Sequence, residues 1–232
     1  MMLLGFDTAT TACSAALWAE GAVRAHRRIE AAGTHAEALV PMLCEVAAEA
    51  GAELGRMDRF AVTVGPGSFT GIRIGLATAR GLALALGRPL VGLSTLEVLA
   101  AGVPAHERDG PVLAALDAGG GRLYAQLFDR SLRPLRAPEA VTTEALPGLL
   151  ADATEGEPLI VAGTGRDAVL AALPPEIGAR AASGSPTPDA RVLVRRAAAA
   201  AGDDAGAVRP LYLREAGARP RAGSAAGGPA RA

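Results

Sequence analysis

The sequence predicts an α/β fold of two domains, each built on a mixed β-sheet with helical crossovers. Three observations predict it. Up to residue 102 the chain reads as three strands, helix, strand, helix, strand. A polar Pro/Gly stretch, "VPAHERDGP" at 103–111, then breaks the apolar runs. Beyond it the same order returns more weakly: strand, glycine turn, strand, then strand, loop and helix.

Each element has a local reason. "MLLGFD" is a buried strand ending on an acid and a Thr-rich turn. "CSAALW" and "AVRAHRRI" follow as strands joined at Glu20-Gly21. In "THAEALVPMLCEVAAEAG", Thr34 and Glu37 have capping-box spacing, and Leu39, Leu43 and Val46 recur at helical spacing. Pro41 falls beyond the first turn and is expected to kink that helix or trim its start. "RFAVTVG" is the fourth strand, and a helix runs from about Thr70 to Leu86. "RPLVGLS" is a strand, after which Ser94 or Thr95 caps a short helix.

In the second half, "PVLAALDAGGGRLYAQLFD" reads as a hairpin, "PLIVAGTG" as strand and loop, and "RDAVLAAL" and "DARVLVRRAAAAAG" as helices. "VRPLYLRE" is a terminal extended segment. The expected boundaries are 1–102 for the first domain and 103–214 for a smaller second one. The Ala/Gly/Pro/Arg tail, 215–232, has too little apolar bulk to fold.

Composition narrows the function. Half of the 232 residues are hydrophobic but only 3% aromatic, so the core is built from Ala, Val and Leu. A net charge of −1 argues against a uniformly basic nucleic-acid binder. Every basic residue is Arg, so no lysine is present to act as Schiff base, general base or phosphate clamp. Cys13 and Cys44 sit in apolar patterns and are expected to be buried thiols. "MMLLGFDTATT" has no basic leader and reads as mature sequence, and no run offers the ~20 apolar residues of a membrane span. A cytoplasmic protein without membrane contact is expected.

The glycine loop "VTVGPGSFTGIRIGLATARGLALAL" poses the main question. Strand, glycine loop and helix is a common way to hold phosphate. A Walker loop, however, needs a lysine, and the dinucleotide fingerprint would need glycine where Thr70 stands. Pro66 also removes an amide donor. Packing explains more residues: Gly71, Gly75, Ala79, Ala83 and Gly87 are four apart and form a small-residue flank that lets another backbone approach. The spacing does not say whether that neighbour belongs to this chain or to a partner.

Other chemistry is sparse. Asp7, Thr8 and Thr10 share the turn after the first strand, and Asp117 ends the matching strand of the second half. Such acids can hold a metal–phosphate group or cap their own turns. Of His26, His35 and His106, only His35 lies in a promising helix, and its i+4 neighbour is Leu39. No Gly-x-Ser-x-Gly elbow is present.

"LGFDTATTACSAAL", "THAEALVPML", "VTVGPGSFTGIRIGLATARGLAL", "PLVGLSTLEVLA" and "LDAGGGRLYAQLF" occur in this order. Together they closely resemble the bacterial TsaB (YeaZ) family, strongly over residues 2–130 and more loosely to "PLYLRE". The resemblance implies an actin/Hsp70/sugar-kinase-like (ASKHA) fold of two RNase H-like domains. It also implies an accessory role in making the tRNA modification threonylcarbamoyladenosine. The catalytic relative, TsaD, carries metal-binding histidines and an ATP site and transfers threonylcarbamoyl to the exocyclic amine of an adenosine beside the anticodon. TsaB-like proteins pair with it through their two N-terminal helices, and a TsaE-type ATPase completes the machinery.

On that resemblance, His35, Leu39, Leu43, Gly71, Gly75 and Ala79 are expected at the partner interface, and Asp7, Thr8, Thr10 and Asp117 mark a vestigial nucleotide site. Leu39 replaces the second histidine of TsaD's His-x-x-x-His helix, and Ala9 replaces the glycine of Asp-x-Gly-Thr in nucleotide-binding relatives. No cofactor is expected on this chain alone; ATP and metal belong to the partners, and tRNA is met only through the complex. A homodimer through the same helices stays open. The rival class is a small ASKHA-fold ATPase or kinase acting alone.

Overall fold

Alternating Ala, Val and Leu build two five-stranded sheets. The computed structural model describes residues 1–30, 33–150 and 157–213. The first sheet comprises β1 (Met2–Asp7), β2 (Ala12–Ala19), β3 (Ala22–Glu30), β4 (Arg59–Thr63) and β5 (Leu90–Leu93), in the order β3-β2-β1-β4-β5. The second comprises β6 (Val112–Gly119), β7 (Arg122–Phe128), β8 (Glu139–Thr142), β9 (Ile160–Ala162) and β10 (Arg180–Ala181), in the order β10-β9-β6-β7-β8. The topology is the same in both. A central strand, β1 or β6, pairs antiparallel with the next strand and parallel with the fourth.

The helices are α1 (His35–Glu49), α2 (Phe69–Leu86), α3 (Thr95–Ala101), α4 (Leu146–Leu150), α5 (Arg166–Ala172) and α6 (Ala190–Ala199). Strand alternation assigns them to layers. Leu4 and Phe6 of β1 face α1 and α2, meeting Leu39, Leu43, Leu76 and Ala79. Leu3 faces the other way, toward Leu193 and Val194 of α6. Leu96 and Leu99 of α3 pack on Val112 and Ala114 of β6, while Leu113 and Ala115 face Leu146 and Val169. The layers therefore run α1/α2, first sheet, α6 and α3, second sheet, α4/α5.

Several expectations are corrected. The last helix and terminal segment, placed in the second domain by sequence, pack on the first sheet. Ala190 N donates to Ser14 Oγ at 3.1 Å, Leu90 and Asp203 form a β-bridge, and Leu211 N donates to Val64 O at 2.7 Å. The first domain is thus discontinuous, because the open α6 face of its sheet is covered by the far end of the chain. Helix α1 starts after Thr34, but the capping-box bond is not made and Pro41 sits inside an unbroken helix. Cys13 is buried, whereas Cys44 is exposed on α1. The short β8, β10 and α4 have too few periodic residues to stand out in sequence. The tail expectation, 215–232, lies outside the described residues.

Helix α2 is long and apolar enough to cross a bilayer, at a mean hydropathy of 1.3. It carries Arg73 and Arg80, and its small-residue flank is buried on the first sheet.

Candidate functional site

The glycine loop seats the turn after β1. A methyl on Gly71 would lie 1.9 Å from the Thr8 carbonyl oxygen, and one on Gly75 would lie 2.4 Å from Thr8 Oγ1. At Gly67, φ is +156° and a methyl would lie 2.2 Å from the Ala9 carbonyl oxygen. Thr8 Oγ1 donates to Gly71 O at 2.7 Å, and Ser68 N donates to Ala9 O at 2.7 Å. The small-residue flank therefore admits a backbone of this chain.

The expected interface residues are corrected on the same ground. Leu39, Leu43 and Ala79 have no exposed surface, Gly71 and Gly75 are buried, and His35 is 8% exposed with Nε2 held 3.0 Å from Thr10 O. Helical periodicity found the flank that is packed, and that flank faces the core. The opposite flank carries Val40 and Cys44 on α1 and Ala77, Gly81 and Leu84 on α2. Val40 is 49% exposed and Leu84 is 66% exposed.

Between the domains lies a cleft of about 700 Å³. Ala9, Thr10, Ser68 and Gly71 line one wall, and Leu116, Asp117, Tyr124 and Thr164 line the other. Of the four residues expected at a nucleotide site, Thr10 and Asp117 reach this cleft. Asp7 and Thr8 do not; they are buried beneath it at 0% and 1% exposure. Sequence reasoning missed Tyr124 and Thr164, which only the second sheet brings opposite the β1 turn.

Asp7 is held by Thr63 Oγ1, which donates to Oδ1 at 2.5 Å, and by Ala9 N at 3.2 Å; its Oδ2 has no partner. Burial pushes its pKa up to about 7 against these bonds, and the Asp189 charge adds to the rise. Burial, with Asp7 nearby, also pushes the Cys13 thiol up to about 11.

The ASKHA fold implies a metal–nucleotide group, and these residues do not fit one. Among the described residues the cleft lining has no arginine, and the space beside Gly67 and Gly71 is filled by the carbonyls of Ala9 and Thr8. Ser68 accepts from Gly71 N at the start of α2, occupying a donor that an anion would need. No group of three metal-ligating side chains occurs among the described residues.

The profile of TsaD, described as tRNA N6-adenosine threonylcarbamoyltransferase, matches residues 29–151. The solved structure of YeaZ from Pseudomonas aeruginosa superposes with a TM-score of 0.78 at 31% identity, covering 91% of this chain and 99% of that one. The chain belongs to the TsaB (YeaZ) family. The Escherichia coli tRNA threonylcarbamoyladenosine biosynthesis protein TsaB is 41% identical over 130 residues, 56% of each chain. A Haemophilus influenzae TsaB is 38% identical over 52% of its own length, so this chain spans about half the length of these two relatives in the matched region. Component A of the (R)-2-hydroxyglutaryl-CoA dehydratase of Acidaminococcus fermentans, at a TM-score of 0.52 and 12% identity, shares the fold alone. The TsaB-type fold and the buried Asp7 turn thus coexist in one chain.

Proposed function

We propose that this chain is a noncatalytic scaffolding and activating subunit. It pairs with a TsaD-type catalytic subunit in threonylcarbamoyl transfer to the exocyclic amine of the adenosine beside the tRNA anticodon. The observation that carries the reading is the outer face of α1 and α2. Val40, Cys44, Ala77, Gly81 and Leu84 form an exposed, largely small and apolar strip on two adjacent helices, bordered by Glu37, Glu45 and Arg73. Such a face lets helices of a partner approach closely. The names of the TsaB relatives and the match to the TsaD profile support the pathway and the partner. In this reading ATP and metal stay on the partners, a TsaE-type ATPase completes the assembly, and the complex works in the cytoplasm.

The test is capture of the TsaD-type subunit from the same cell, followed by a tRNA modification assay with purified components. Leu84→Asp puts an unpaired charge into the face and is expected to weaken capture roughly 10-fold or more without unfolding the chain. Undiminished capture by Leu84→Asp overturns the assigned face. ATP turnover by the purified chain alone would promote the rival reading of an independent ATPase.

A further inference from the structure

Charge is segregated in this chain. Of its 23 arginines and 24 acids, residues 64–95 and 205–232 together hold eight arginines and one acid, Glu215. The remaining residues hold 15 arginines and 23 acids, so a chain of net charge −1 divides into a +7 part and a −8 part. The fold joins residues 205–213 to the first cationic stretch. Leu211 N donates to Val64 O at 2.7 Å, and Arg80 donates to the Val208 carbonyl. Among the described residues, Arg73, Arg80, Arg88 and Arg209 make no ion pair, and residues 64–95 and 205–213 contain no acid.

The aromatic residues point to the same place. Of seven, Phe6, Phe60 and Phe128 are fully buried and Trp18 and Tyr124 are half-buried. The two exposed ones touch each other across the junction. Phe69 is 37% and Tyr212 41% exposed, with ring centroids 5.3 Å apart. The Arg73 guanidinium lies 3.6 Å from the Phe69 centroid, and its Nε reaches Tyr212 Oη at 3.4 Å. Exposing the only spare aromatics of an aromatic-poor chain beside unpaired arginines leaves a stacking surface in a positive field. That combination suits unpaired bases on a phosphate backbone.

We propose that Phe69, Arg73 and Tyr212 form a docking surface for a single-stranded segment of RNA, with Arg209 attracting the backbone. The inference rests on the proposed function in one respect: that reading brings a tRNA to the chain. The surface occupies the N-terminal end of α2 and adjoins the strip assigned to the protein partner, which begins one turn on at Ala77.

The test measures fluorescence anisotropy of the full chain with a labelled RNA hairpin bearing an unpaired loop, across a salt series, and capture of the TsaD-type subunit in parallel. Tyr212→Ala is expected to weaken loop binding roughly 5- to 150-fold, while Tyr212→Phe, which keeps the ring, stays within about 2-fold of wild type. Arg209→Gln is expected to lower the log–log salt slope by about one. Tyr212→Ala with wild-type melting and wild-type partner capture, but weakened RNA binding, supports the proposal. It is overturned if the full chain leaves the hairpin unbound at low salt, or if Tyr212→Ala binds it as wild type does. It is also overturned if polyglutamate competes as well as RNA and Tyr212→Ala loses the protein partner, which would mark a protein-docking site. Failure of the proposed function reads out separately, as lost capture with RNA binding intact.

Discussion

The turns after β1 and β6 begin alike and end in opposite environments. β1 finishes on Asp7 and β6 carries Asp117 two residues before its end, and each strand is followed by a turn into an antiparallel partner. Each is also met by a glycine loop that opens a helix. Gly71 approaches Thr8 in the first domain, and Gly163 approaches the Ala115 carbonyl in the second. Yet Asp7 is sealed and one of its oxygens is orphaned, whereas Asp117 is exposed and accepts from Gly119 N at 2.8 Å.

The difference comes from what covers each strand end. Helix α6 docks over Asp7's face of the first sheet, anchored where Ala190 N meets Ser14 Oγ, the neighbour of Asp7 across the ladder. In the second sheet, β6 stops pairing with β9 at Ala114 and goes on beside β7 alone, where Asp117 pairs with Leu123, so Asp117 reaches the cleft. One local motif therefore yields a buried acid in one domain and a solvated turn cap in the other.

The largest expected effect breaks this comparison at Asp7. Its native pKa of about 7 lies above the ordinary 3.8, so between those values the folded state binds the proton that the unfolded state releases. Wild-type stability accordingly falls as pH rises through that window and levels off above it. Asp7→Asn removes the titration. The stability of the variant relative to wild type should grow from pH 4 to pH 7 and reach about 4 kcal/mol at most at pH 8. Chemical denaturation of both proteins across pH checks this; a difference that is flat with pH would show that Asp7 is not the buried acid described.

Next comes the seat of the first turn. Gly75→Leu forces carbon into the place of Thr8 Oγ1 and should cost about 1–3 kcal/mol or unfold the domain. Melting of the free variant separates this from a surface effect. Gly81 lies further along α2, and a methyl added there would meet nothing within 4 Å. Gly81→Ala should therefore raise stability by up to about 1 kcal/mol, the opposite sign on the same helix. The smallest change is expected at the second turn: Asp117→Ala loses one exposed turn bond and should cost roughly 0.5 kcal/mol in a thermal melt. A cost matching that at Gly75 would mean the two turns are equally embedded.

Much of this protein was legible in sequence because local chemistry acts locally. The alternation of "MLLGFD" and "CSAALW", the Glu20-Gly21 turn and the Ser94 cap placed elements within a residue or two of where they lie. The small-residue period of α2 correctly announced a close backbone approach, and the duplicated order of strands announced two related sheets. Periodicity, however, reports that a flank is packed and leaves the identity of its neighbour undetermined. Only the tertiary structure showed that Gly71 and Gly75 receive Thr8, that α6 and Leu211 return to the first sheet, and that Phe69 meets Tyr212. Those contacts join residues far apart in the chain, where neither propensity nor spacing carries information. The burial that separates Asp7 from Asp117 is likewise a property of the assembled layers.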